Sequence, residues 1–322
     1  MKKIIISIIF IICGCAHSKD RFVSSNSDTN LLNEGVADIS NPTTFSKIYV
    51  ISDVHGMYDN LVKLLQAGKI IDKENNWIAK NSLLIVTGDS IDKGTKSIEV
   101  LDLWIKLQNQ SAIVDGRLIH VLGNHEAEFL ANPETTNKKS LELIKEMQEL
   151  KIPLSDLTTE DSPRGKFIHS EPLALKVGNW IFCHSGLLPM DANWIQFSEN
   201  ANRILNKQDY SNDFLIGENS ILEAKKWELD LKIVNQLISY LNSNSIFGIV
   251  FGHQPGAFDI HGRSAAKYNG RLIKIDNGMA PEAGAHSGSI LVFNKPEEML
   301  LKNFPQIGVI SSDGVVSLLN IE

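Results

Sequence analysis

Gly88-Asp89-Ser90-Ile91-Asp92-Lys93-Gly94 follows the apolar run Leu83–Val86, so two carboxylates stand where a buried strand ends. In open α/β sheets ligands collect at the carboxyl ends of strands, and an acidic loop between two glycines suits a cation better than a phosphate. Asp89 is therefore the central candidate metal ligand. Alone the loop is a weak sign, because Gly-Asp pairs also make ordinary turns. The neighbouring strand ends decide it.

Ile48–Ser52 is a β-branched run that delivers Asp53-Val54-His55-Gly56 before the helical spacing Leu61, Leu64, Leu65. Asp and His two apart at a strand end can both reach one cation, while Gly56 lets the backbone turn sharply. Taken singly, His55 reads better as a capping or core histidine. A third run, Leu118–Leu122, ends in Gly123-Asn124-His125-Glu126. Asn is a poor residue for an apolar strand end unless its amide oxygen is used, and metal ligation is one such use. His125 beside it can carry a proton near neutral pH. Trp180–Cys183 runs into His184-Ser185-Gly186, and Ile246–Phe251 into Gly252-His253-Gln254-Pro255. Five strand ends in order, each with a possible ligand, are not what ordinary turns produce. Asp259-Ile260-His261 copies the Asp-x-His spacing without a matching strand-to-helix switch and is set aside.

The set Asp-x-His, Gly-Asp-x-x-Asp, Gly-Asn-His-Glu, His-Ser-Gly and Gly-His, with Ile275-Asp276-Asn277-Gly278-Met279 late in the chain, resembles the phosphoprotein-phosphatase branch of the calcineurin-like metallophosphoesterases. More narrowly it is similar to the bacterial Shewanella-like phosphatases, over about Ile48 to Phe293. The resemblance implies an α/β fold in which two sheets form a β-sandwich flanked by helices, with a dimetal centre at the strand ends. It implies that Asp53 and His55 hold one ion, that Asn124, His184 and His253 hold the other, and that Asp89 bridges them. It further implies attack by a metal-activated water, with His125 protonating the leaving oxygen and Asp92 orienting His125. The mixed carboxylate, imidazole and amide donors suit two divalent ions of Mn, Fe or Zn, and the lack of thiolates argues against a purely structural zinc.

Two positions depart from the family pattern. Lys93 stands where relatives usually carry Arg, giving a point charge instead of a bidentate fork. Around Leu222-Glu223-Ala224-Lys225 relatives tend to have a Trp and an Arg, so Lys225 is a candidate second phosphate contact, and Arg164 in Ser162-Pro163-Arg164-Gly165 is a third. The expected activity is metal-dependent hydrolysis of phosphate monoesters, with a phosphorylated protein (Ser/Thr or Tyr) or a small phosphomonoester as substrate. The alternatives are a nucleotide phosphoesterase acting on a dinucleoside polyphosphate and a non-catalytic surface lipoprotein that binds phosphorylated ligands.

The N-terminus carries a separate message. Met1–Lys3 is basic, Ile4–Ile12 is almost wholly apolar, and Ile12-Cys13-Gly14-Cys15 resembles a bacterial lipoprotein processing site. This predicts a signal peptide over 1–14, lipidation at Cys15, and a chain lipid-anchored to a bacterial membrane; Ala16 after the cysteine favours the outer membrane. Residues 15–45 are rich in Ser, Asn, Asp and Thr and read as a tether. The remainder, 46–322, is expected to be one domain with helical insertions around 132–163 and 193–241 and a closing hairpin of Ile307–Ile310 and Val315–Leu319 about an Asp-Gly turn. The net charge of −7 and the absence of a dense Lys/Arg cluster exclude nucleic acid as a partner. Cys183 is left alone in an apolar run once Cys13 and Cys15 are accounted for, so no disulfide framework is expected.

Overall fold

The computed structural model describes residues 35–134 and 140–322. The first half lays down β1 (Val36–Ile39), β2 (Ile48–Ile51), α1 (Tyr58–Ala67), β3 (Leu83–Val86), α2 (Ser97–Ile113), β4 (Arg117–His120), α3 (Asn124–Ala131), α4 (Leu141–Glu149), α5 (Ser155–Thr158) and α6 (Pro163–His169). There follow β5 (Ala174–Val177), β6 (Trp180–Cys183), α7 (Trp194–Asn206), α8 (Asp213–Ile216), α9 (Leu231–Ser243) and β7 (Gly248–Phe251). The chain closes with β8 (Ala265–Lys267), β9 (Leu272–Lys274), β10 (Ser289–Phe293), β11 (Ile307–Ser311) and β12 (Val316–Leu318). One six-stranded sheet has the order β1-β5-β6-β7-β9-β8 and the other β12-β11-β10-β2-β3-β4.

Period-2 alternation explains why the central strands read as unbroken apolar runs. Ile48, Val50, Leu83, Ile85, Phe182 and Val250 fill the layer between the sheets. Their neighbours Tyr49, Ile51, Leu84 and Val86 pack toward α1, α2, α4 and α6. On the other sheet Ile181, Cys183, Ile249 and Phe251 pack toward α7 and α9. Both faces of these central strands are thus buried, which is why these residues are apolar on both.

The parallel pairing fixes where the strands end. Ile51 pairs with Val86 and Val86 with His120, while Cys183 pairs with Phe251 and Phe251 with Lys274. In each sheet the loops therefore leave from one edge. The helical insertion holds one of these loops: Glu146 of α4 accepts the N–H groups of Ser97 at 2.7 Å and Ile98 at 2.9 Å, closing the start of α2 where Lys96 supplies no cap.

The expected tether is too long at its C-terminal end. Val36–Ile39 forms β1, paired in parallel with Ala174–Val177. Val36 and Ile39 are buried, and the ladder satisfies a backbone whose polar surroundings suggested none. The expected signal peptide and Cys15 lie outside the described residues. Among those described, no helix is long and apolar enough to cross a membrane.

Candidate metal centre

The loops after β2, β3, β4, β6 and β7 converge on one buried cluster. Asp89 stands at its middle, and its two carboxylate oxygens face different histidines: Oδ1 lies 3.3 Å from His184 Nε2, and Oδ2 lies 3.5 Å from His55 Nε2. Ligand atoms of His55, Asp89 and His125 lie within 4.8 Å of one another, and so do those of Asp89, His184 and His253. Asn124 joins the second group, its Oδ1 2.9 Å from His184 Nε2. Asp53 falls outside both triplets. Its oxygens accept the His253 N–H at 3.0 Å and the Ser52 hydroxyl, tying the two sheets together.

Each imidazole is oriented by a bond at its other nitrogen. His55 Nδ1 donates to the Ile91 carbonyl at 3.1 Å and His184 Nδ1 to the Thr87 carbonyl at 2.7 Å, which turns Nε2 of both toward the cluster. His253 Nε2 is engaged with the Glu223 carbonyl at 3.3 Å, leaving Nδ1. Burial keeps His55 and His253 well below the usual imidazole value, in the neutral form that ligates. His184 goes the other way: against burial, Asp89 and Asp53 push it up to about 10. Burial also opposes ionisation of Asp89, but His184, His125 and His55 hold its carboxyl well below the carboxylate range. Asp53 is pushed well up by burial, Asp276 and Asp89. Buried carboxylates this close call for positive charge between them, and oxygen and imidazole donors in this number fit divalent cations.

The geometry is held in strained backbone. Asp53, His55, Asp89, Asp92, Lys93 and His253 all have φ between 47° and 65°. For non-glycine residues that conformation costs on the order of 1–2 kcal/mol each. Gly88, at φ 95°, is forced: a Cβ there would sit 2.6 Å from His184 Nδ1.

His125 Nδ1 lies 3.3 Å from Asp92 Oδ2. Lys93 Nζ lies 2.8 Å from His55 Nε2, at one end of the cluster, and exposed Lys225 acts electrostatically on His253 at the other. Arg164 is a correction. Its Nε and Nη2 donate to Asp102 at 2.7 and 2.8 Å and its Nη1 to Asp156 at 2.8 Å. The guanidinium is committed to fastening α6 to α2 and α5, so its phosphate-binding role is withdrawn.

Two functional residues were missed. Glu126 accepts the N–H groups of Asp89 at 3.1 Å, Ser90 at 2.7 Å and Ile91 at 3.2 Å, so its buried carboxylate shapes the Asp89 loop. Its place in the first turn of α3, beside two candidate site residues, was the available signal. Asp276 is buried beside Asp53 beyond the end of β9, pushed up to about 6 chiefly by burial. It lies in the late motif, but nothing in the sequence aims it at the cluster.

Residues 46–272 match the sequence profile of the calcineurin-like phosphoesterases. The chain belongs to that family. It is 31% identical over 142 residues to Shewanella-like protein phosphatase 1 of Plasmodium berghei, covering 44% of this chain and 39% of that protein. It is 32% identical over 143 residues to the symmetrical bis(5'-nucleosyl)-tetraphosphatase of Neisseria meningitidis, covering 44% of each. The chain thus spans about two fifths of the length of these curated relatives. The cold-active protein-tyrosine phosphatase of a psychrophilic Shewanella superimposes with a TM-score of 0.69 at 22% identity, covering 89% of this chain and 82% of that one. This likeness establishes the fold of two mixed sheets flanked by helices. Calcineurin-like phosphoesterases use divalent metals, and the clustered donors suit that chemistry.

Proposed function

We propose that this chain hydrolyses phosphate monoesters at a centre of two divalent ions, with a phosphorylated protein as the substrate class. The observation that carries the reading is the division of Asp89, one oxygen toward His184 and the other toward His55. His55, Asp53 and Asp89 would hold one ion, and Asp89, Asn124, His184 and His253 the other. Bound ions supply Lewis acidity toward phosphoryl oxygens and a water acidic enough to act as nucleophile at neutral pH. His125, oriented by Asp92, delivers a proton to the leaving oxygen through Nε2. Lys93 binds a phosphoryl oxygen, and exposed Lys225 draws the substrate anion to the rim. The Plasmodium relative, by name a protein phosphatase, supports a phosphoprotein. The sequence Ile12–Cys15 supports a lipid-anchored chain.

Assaying the purified protein with Mn against phosphotyrosine peptide, phosphoserine peptide and a dinucleoside tetraphosphate tests the reading. Chelator-sensitive release of phosphate from a phosphopeptide is expected. Turnover of the dinucleotide alone would move the substrate class to nucleotides.

A further inference from the structure

Lys274, the last residue of β9, has 0% of its surface exposed. Lysine is almost never fully buried without partners, and this one has three. Its ammonium donates to the carbonyls of Pro255 at 2.5 Å, Ile260 at 2.6 Å and Asp276 at 3.2 Å, so every N–H of the group is used. Burial pulls its pKa to about 8, with Asp276 and Asp53 acting the other way, and the group is a cation at neutral pH.

The three carbonyls come from segments that flank the candidate metal centre. Pro255 follows His253 by two residues, Ile260 closes the turn after it, and Asp276 lies beside Asp53. The stretch from His253 to Ile260 needs such holding. His253, Phe258 and Asp259 have φ of 64°, 63° and 58°, a conformation that persists only when surroundings over-determine it. A neutral side chain at position 274 would leave buried carbonyls without donors.

We propose that Lys274 is a positioning residue: its ammonium is a resident monovalent cation that fixes the loop carrying His253, and with it the ion site built from Asp89, His184 and His253. The proposal rests on the two-ion reading, and it is tested with a readout that does not.

In Lys274→Met, amide hydrogen exchange across residues 253–260 is expected to accelerate. Affinity for the more weakly held divalent ion should fall about 10- to 100-fold, as for loss of an outer-shell support. The kcat for an aryl phosphate should fall on a similar scale while KM stays within about threefold. In Lys274→Ala, ethylammonium should restore loop protection and kcat better than sodium does at equal ionic strength. If Lys274→Met yields no folded protein, Lys274→Ala refolded with ethylammonium decides: folded, loop-protected protein supports the proposal. Unchanged exchange and ion affinity in Lys274→Met, or ethylammonium no better than sodium, overturns it. A wild-type protein that binds no pair of ions would refute the two-ion reading instead, and the exchange data would still judge the clamp.

Discussion

Asp92 Oδ2 lies 3.3 Å from His125 Nδ1, and the same buried carboxylate accepts the Leu143 N–H at 3.2 Å through Oδ1. The helical insertion thus fixes the carboxylate, which in turn fixes the ring. With Nδ1 engaged, Nε2 is the nitrogen left for a leaving group. His125→Ala should therefore lower kcat by about 10²–10⁴-fold for phenyl phosphate, and by less for p-nitrophenyl phosphate, whose leaving group needs no proton. Equal losses on the two substrates would contradict a general-acid role.

The pH dependence follows with a definite sign. In the metal-free chain burial opposes the charged ring, but Asp89 and the bond to Asp92 outweigh it and hold His125 above its ordinary value of about 6.5. The imidazolium is the working form, so activity is present below the pKa and declines as pH rises through it. Asp92→Asn removes an anion that favours the imidazolium, so the alkaline limb should move to lower pH. An NMR titration of His125 in metal-free protein, wild type against Asp92→Asn, should show the same downward shift.

Lys93 Nζ sits 2.8 Å from His55 Nε2, within the reach of a phosphate held there. Lys93→Ala should reduce kcat/KM about 10- to 1000-fold, the scale of one charge-assisted bond at ~1.5–4 kcal/mol. Metal content should not change. Lys93→Arg should keep most of the activity, because a guanidinium can take two oxygens together. Kinetics of Lys93→Ala within twofold of wild type would pass the phosphate role to Lys225.

Gly123 tests the packing of the centre without removing a ligand. A Cβ there would overlap the backbone nitrogen and Oδ1 of Asp89 and Oε2 of Glu126. Gly123→Ala should keep its circular dichroism while losing divalent-ion affinity about 10- to 100-fold in a chelator competition, the range seen when ligand supports are disturbed. Unaltered affinity would show that the Asp89 loop has slack.

Cys15→Ser should release the chain from the membrane fraction and leave its specific activity unchanged, since residue 15 is none of the candidate ligands or acid–base groups. Protein that still sediments with membranes after a high-salt wash would exclude an anchor at Cys15.

Much of this arrangement was legible because burial on both faces leaves no room for polar residues, so Leu83–Val86 and Trp180–Cys183 announce themselves as strands. Ligand-type residues directly after those runs, such as Asp89 and His184, then mark the edge. β1 escaped because Val36 and Ile39 are isolated among polar residues, and only a distant partner strand makes them core. The pairing of β10 with β2 is equally non-local. Lys274 drew no reading of its own, since its burial depends on the Pro255, Ile260 and Asp276 carbonyls, which only the fold gathers around it. Arg164 misled because a loop arginine beside glycine looks alike whether its partner is a phosphate or Asp102.

The central claim is that one carboxylate, Asp89, organises two metal sites for phosphate-ester hydrolysis. Counting divalent ions per chain alongside aryl phosphate turnover, in wild type and Asp89→Asn, tests it most directly. The account predicts two ions per wild-type chain, turnover abolished by chelation and restored by Mn, and an Asp89→Asn variant that loses ions and activity together, which added Mn does not fully restore. Wild-type turnover retained in Asp89→Asn, or turnover that survives chelation, would contradict it.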